Sequence, residues 1–166
     1  MKICCFTGHR PKFFPWHNDL NDKSAKRLLF ELRKEILSAV ADGFDTFVCG
    51  GALGVDTWAA QLVLSVKESY PHIRLVITLP FENYNHFVTD TDYINTINNA
   101  DKVVIVGTET GKVALSKRDK FMVDNSERII AVYDERTGIQ SGTYRALQYA
   151  KQKEIEIKQI KWMNLI

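Results

Sequence analysis

Short apolar runs alternate with helix-patterned segments along the whole chain, and this alternation restricts the fold more than any other feature. The apolar runs cover residues 2–6, 46–49, 73–79, 102–106 and 128–133. Each is short and nearly continuous, the pattern of strands covered on both faces rather than strands with one wet side. Between the first two runs, Leu28, Leu29, Leu32, Ile36, Leu37 and Val40 recur at helical spacing. Asp22 or Ser24 is placed to cap the start of that helix, and Gly43 to close its end. Further helices are expected over 55–70, 91–99, 116–125 and 143–153, and residues 155–160 alternate like a half-exposed edge strand. The order β-α-β-α-β-α-β-α-β-α-β predicts an α/β fold, a three-layer sandwich with a mainly parallel sheet between helices. Right-handed crossovers place every strand's C-terminal end on one rim, where such sheets bind their ligands.

A chain of 166 residues fits one domain, 1–166, with a core of its own. No apolar run approaches the roughly 20 residues of a membrane-spanning helix. The N-terminal run stops at Thr7, too early for a signal peptide, so no membrane partner and a cytoplasmic location are expected. A net charge of +2, with Lys and Arg scattered, does not favour duplex nucleic acid as a partner. Cys4, Cys5 and Cys49 all fall in expected strands, and Cys4 and Cys5 face opposite sides. No C-x-x-C occurs, so the cysteines read as small buried thiols and no metal site is expected.

The rim gathers the candidate site. The second strand ends in Gly50-Gly51-Ala52-Leu53-Gly54-Val55-Asp56, a glycine turn opening a helix. Glycines let backbone N–H groups approach a ligand, and a helix N-terminus favours an anion. Asp56 is expected to cap that helix or to contact a ribose hydroxyl or an ordered water. The first strand delivers Thr7, Gly8, His9 and Arg10, the arginine offering a fork for phosphate or carboxylate. His9 reads as a loop organiser or as a general acid or base. Pro80, Phe81 and Glu82 follow the third strand, with Phe81 and Tyr84 as stacking surfaces and Glu82 as an acceptor or base. The stretch from Gly107 to Lys112 is not a P-loop, because its glycines are too close and Val113 replaces the Mg²⁺-binding hydroxyl; residues 107–116 are expected to form a mobile flap. Arg118 and Asp119 follow on the next helix. Ser141, Gly142 and Thr143 open the last helix as a second anion-friendly junction.

These motifs, together with Lys117-Arg118-Asp119-Lys120-Phe121-Met122-Val123-Asp124-Asn125-Ser126, resemble the YpsA-like branch of the SLOG superfamily over essentially the whole chain. The resemblance implies a Rossmann-like fold and a nucleotide or nucleotide-derived ligand, of ADP-ribose or NAD type, in a sensor or regulatory module. The superfamily also contains LOG-type phosphoribohydrolases, which cleave a nucleotide's N-glycosidic bond, and DprA/Smf proteins, which bind single-stranded DNA. LOG enzymes follow Pro-Gly-Gly-x-Gly-Thr with a catalytic glutamate, whereas Gln140-Ser141-Gly142-Thr143-Tyr144-Arg145-Ala146-Leu147 carries none. Hydrolysis here would fall to Glu82 or Asp56. Residues 50–54 and 141–143 are expected to hold phosphate, with Arg10 and Arg118 neutralising it; no cofactor is certain, and a homo-oligomer stays open. Gly51→Val is expected to abolish binding in a folded domain.

Overall fold

The computed structural model describes all 166 residues. Six strands form one sheet: β1 Ile3–Gly8, β2 Thr46–Gly50, β3 Arg74–Leu79, β4 Lys102–Ile105, β5 Arg128–Val132 and β6 Glu156–Ile160. Every adjacent pair is parallel, and the order is β4-β3-β2-β1-β5-β6. Five helices connect them: α1 Lys23–Ala41, α2 Val55–Lys67, α3 Thr91–Asn98, α4 Gly111–Asp124 and α5 Gly142–Gln152. This is an α/β Rossmann-like sandwich. Strand order reverses between β1 and β5, so the C-terminal ends of those strands frame the crevice where such sheets take ligands.

The core follows from the helix patterns. Leu28, Leu32 and Ile36 recur every four residues along α1 and are fully buried with Phe6, Phe47, Leu75 and Ile77 of the sheet. Asp22 caps α1 by accepting from the backbone N–H groups of Ser24 and Ala25, and Gly43 leaves the helix at φ 90°. The opposite face is covered by α4 and α5 through Met122, Val123 and Ala150, packed on Cys5, Val48 and Ile129. All three cysteines are free and buried. Burial pushes the Cys5 thiol up to about 12 and those of Cys4 and Cys49 well above their ordinary value, so they stay protonated. No helix is long and apolar enough to cross a membrane.

Two expectations are corrected. Residues 107–116 are not a flap throughout, because α4 begins at Gly111. The helix expected over 116–125 is present, but the pattern hides its first turns: Val113 and Phe121 are exposed while Arg118 is buried, so apolar spacing marks no inward face. The run at 102–106 forms an edge strand, with Val103 and Ile105 exposed, rather than a strand covered on both faces. The run at 155–160 is the expected edge, pairing only with β5.

Candidate functional site

The ends of β1 and β2 are locked together before any ligand is considered. Gly54 sits at φ 94°, ψ −133°, a conformation closed to side chains, and a Cβ there would lie 2.6 Å from the His9 carbonyl oxygen. The first N–H of α2, from Val55, donates to that same carbonyl at 3.2 Å. A Cβ on Gly8 would overlap the Val55 side chain from the other side. The turn is tied down further along. Tyr93 Oη donates to the Gly51 carbonyl at 2.7 Å, Asn85 Nδ2 donates to it at 3.0 Å, and Thr57 Oγ1 donates to the Ala52 carbonyl at 2.8 Å. A Cβ on Gly51 would overlap Leu79, so Gly51→Val disturbs packing and does not isolate ligand binding as the sequence suggests.

Above Gly50 lies the charged centre of the rim. The Asp56 carboxylate and the Arg118 guanidinium both press on the space a Cβ of Gly50 would fill. Asp56 accepts from the Ala52 N–H at 3.4 Å, and Arg118 Nε donates to Asp119 Oδ1 at 2.8 Å. Arg118 is only 5% exposed, and its Nη1 makes no hydrogen bond within the protein. Burial pushes the Asp56 carboxyl up to about 6, against the pull of Arg118. Burial also raises the Asp119 carboxyl, opposed by Arg118, Arg145 and Arg10. Three arginines thus face two aspartates, a surplus of one positive charge.

His9 lies at the reversal of strand order. It is 2% exposed, ringed by Phe13, Phe14 and Tyr133, and Ser141 Oγ lies 3.3 Å from its Nδ1. Burial lowers its pKa to about 4, so the imidazole is neutral and links β1 to the start of α5. Ser141, the residue before α5, spends its hydroxyl on His9 and gives the helix no side-chain cap. Nothing lies closer than Asp119 Oδ2, at 3.9 Å, to a Cβ built on Gly142. The first turn of α5 is therefore roomy and uncapped, whereas that of α2 is closed by His9. Thr7 and Thr143 are buried beside these junctions.

The outer lip comes from the loop after β3. Arg10 Nη2 donates to Tyr84 Oη at 3.1 Å, and Phe81 packs edge-on against Tyr84 with ring centres 5.4 Å apart. Pro80 is buried, while Glu82 is exposed and makes no hydrogen bond or ion pair. The sequence-derived candidates thus converge, Glu82 excepted. Sequence reasoning left out Asn85 and Tyr93 as builders of the site, read Tyr84 as a stacking surface rather than as the partner of Arg10, and gave Asp119 no role. Asp119 was signalled by its adjacency to Arg118. Tyr93 was hidden among the apolar residues of α3, and Asn85 had no signal beyond a turn-forming residue type.

A profile of the YspA SLOG family matches residues 4–165. The chain belongs to that family. Similar proteins include a UPF0398 protein of Brevibacillus brevis, 33% identical over 63% of this chain and 58% of that one. YoqJ, an uncharacterized SPbeta prophage-derived protein of Bacillus subtilis, is 35% identical over 63% of this chain and 68% of its own. A UPF0398 protein of Bacillus thuringiensis is 26% identical over 95% of this chain and 86% of its own. Among solved structures, DNA processing protein A from Helicobacter pylori superposes with a TM-score of 0.63 at 17% identity, over 95% of this chain and 64% of that one. Its study describes a single-stranded DNA binding mode for that protein. The similarity shows the family's fold. The chain spans under two thirds of the Brevibacillus relative and of the Helicobacter protein.

Proposed function

We propose that the rim binds a nucleotide or nucleotide-derived ligand and that the protein acts as a sensor or regulatory module. The observation that carries this reading is Arg118: a buried guanidinium with one unbonded edge, held between two aspartates whose pKa values burial has raised. An unpaired buried donor is costly, and a phosphate oxygen offers it a charge-assisted partner. Asp56 and Asp119 are acceptors suited to ribose hydroxyls, the α5 N-terminus suits phosphate, and Arg10 closes the outer side. The phosphates and ribose hydroxyls of the ligand class named by the sequence, ADP-ribose or NAD-like, fit the same groups, which leave the base open.

Thermal unfolding against AMP, GMP, NAD, ADP-ribose, cyclic dinucleotides and a short DNA oligomer tests this. A ligand at about 100 times its Kd adds roughly 2.7 kcal/mol, a midpoint rise of roughly 5–10 °C for a domain of this size. The rise should vanish in Arg118→Lys, which keeps the charge and loses the fork. No shift with any compound sinks the reading. A response to the DNA oligomer alone, steeply weakened by salt, would place the chain with single-strand binders instead.

Cleavage of the N-glycosidic bond is the second reading, favoured by Asp56, which titrates near 6 and lies within the cluster. It predicts release of free base from a nucleoside monophosphate, lost in Asp56→Asn and retained in Glu82→Gln. The first turn of α5 contains no acidic residue, which supports binding over turnover.

A further inference from the structure

A cleft of about 190 Å³ opens where β3, β4 and α4 meet, lined by Pro80, Val106, Gly107, Thr108, Glu109, Ala114 and Lys117. That is room for about six waters, and below the ~300 Å³ that a whole drug-sized ligand occupies. It is the volume of one heterocyclic ring system. Pro80, Val106 and Ala114 provide apolar surface, while Glu109 and Lys117 stand together with Oε1 and Nζ 2.7 Å apart. Their side chains are 52% and 58% exposed, so the pair adds little to stability and can exchange its bond for a ligand's. Ala114 lies one helical turn before Arg118 on α4, about 6 Å along the axis. A ribose can bridge that gap.

We infer that this cleft is the base subsite of the nucleotide site and that it selects guanine, through Lys117 and Glu109. The inference rests on the nucleotide reading of the rim. An ammonium only donates and a carboxylate only accepts, with two oxygens side by side. Guanine's pairing edge offers the complement: the O6 acceptor for Lys117, and the N1–H and N2–H₂ donors for the two oxygens of Glu109. Adenine offers one donor and one acceptor on that edge, so it leaves one Glu109 oxygen unused. Hypoxanthine keeps O6 and N1–H but lacks the 2-amino donor.

Calorimetric titration of the full chain with GMP, IMP, AMP and ribose 5-phosphate tests the assignment. GMP should bind about tenfold or more tightly than AMP or IMP, each of which leaves one Glu109 oxygen unused, as expected for one additional hydrogen bond to a charged group. Glu109→Gln should bring GMP to the level of AMP. At Gly107 a Cβ meets nothing closer than the Pro80 carbonyl oxygen, at 3.9 Å, so Gly107→Leu fills the cleft without disturbing the fold. It should weaken all three nucleotides while leaving ribose 5-phosphate binding and the thermal midpoint unchanged. Equal affinities for GMP and AMP that Gly107→Leu does not alter would overturn the base subsite and leave the rim reading standing. Failure of every compound to bind the parent chain would overturn both.

Discussion

Two buried arginines stand at opposite ends of the sheet, each beside a pair of carboxylates. Arg128 begins β5 at the N-terminal edge, 4% exposed, donating from Nε to Glu156 at 2.8 Å and from Nη2 to Asp42 at 2.7 Å, and it lies over the Phe44 ring. Its carboxylates are about half exposed, and their hydrogen bonds to Arg128 hold both below the usual carboxylate range. Arg118, at the C-terminal rim, makes one side-chain hydrogen bond, to Asp119, and its carboxylates are pushed up by burial. The first arrangement is a staple joining α1, β5 and β6. Nη1 of each arginine lacks a hydrogen-bond partner, but only at the rim are the carboxylates themselves held out of water with their charged forms disfavoured, the state expected where a fold gives up stability to hold a site ready.

The largest loss of stability should come from breaking the staple. Arg128→Ala removes two charge-assisted hydrogen bonds and the stacking on Phe44, and should cost about 2–3 kcal/mol of stability. Denaturant titration measures that loss, and nucleotide affinity should be unchanged because no rim residue is touched. An affinity loss as large as that of Arg118→Lys would erase the distinction between the two ends.

The pH dependence of the two ends should have opposite signs. Asp42 and Glu156 are lowered, so their contribution is full above their ordinary pKa values and is lost as pH falls through the folded ones, below about pH 4. Asp56 is raised from 3.8 to about 6, so the folded chain holds its proton more tightly than the unfolded chain. Its burial costs nothing below pH 4, and the cost grows as pH rises to about 6 and is complete above it. Asp56→Asn keeps an acceptor for the Ala52 N–H and removes the charge. It should therefore stabilise the chain by up to about 3 kcal/mol at pH 8 and by nothing at pH 4, while weakening ligand binding. A stability gap that does not change across this pH range would show that Asp56 is not held against its solvation.

The sequence made the sheet and its rim legible because strand runs and helix spacing are local patterns. It placed Thr7, Arg10, Asp56, Arg118 and Ser141 on one rim because a parallel sheet leaves them nowhere else. It did not show that Gly8, Gly50, Gly51 and Gly54 each abut another part of the rim, since the partners Val55, Arg118, Leu79 and His9 are fixed only by packing. Nor did it show α4 starting at Gly111, because a helix that buries an arginine and exposes Val113 and Phe121 breaks the apolar pattern used to find it. The residue that makes the helix hard to read is the one that marks the site.

The smallest effect should come from the lip, where Arg10 and Tyr84 are joined by a single hydrogen bond near solvent. Unlike Arg128, Arg10 is exposed, and Tyr84 engages only its Nη2, leaving the other guanidinium nitrogens for a phosphate. Holding a long side chain in place before binding saves about 0.5–1.5 kcal/mol of ordering at the moment of binding. Tyr84→Phe removes the hydroxyl and keeps the edge-on contact with Phe81. Stability should move by less than about 0.5 kcal/mol, as for most surface changes, and nucleotide affinity should fall roughly 2- to 10-fold. Calorimetric titration reads both the loss and its expected origin, a less favourable binding entropy. Tighter binding in Tyr84→Phe would mean that the tyrosine competes with the ligand for Arg10, and the lip would then be a latch that binding must open.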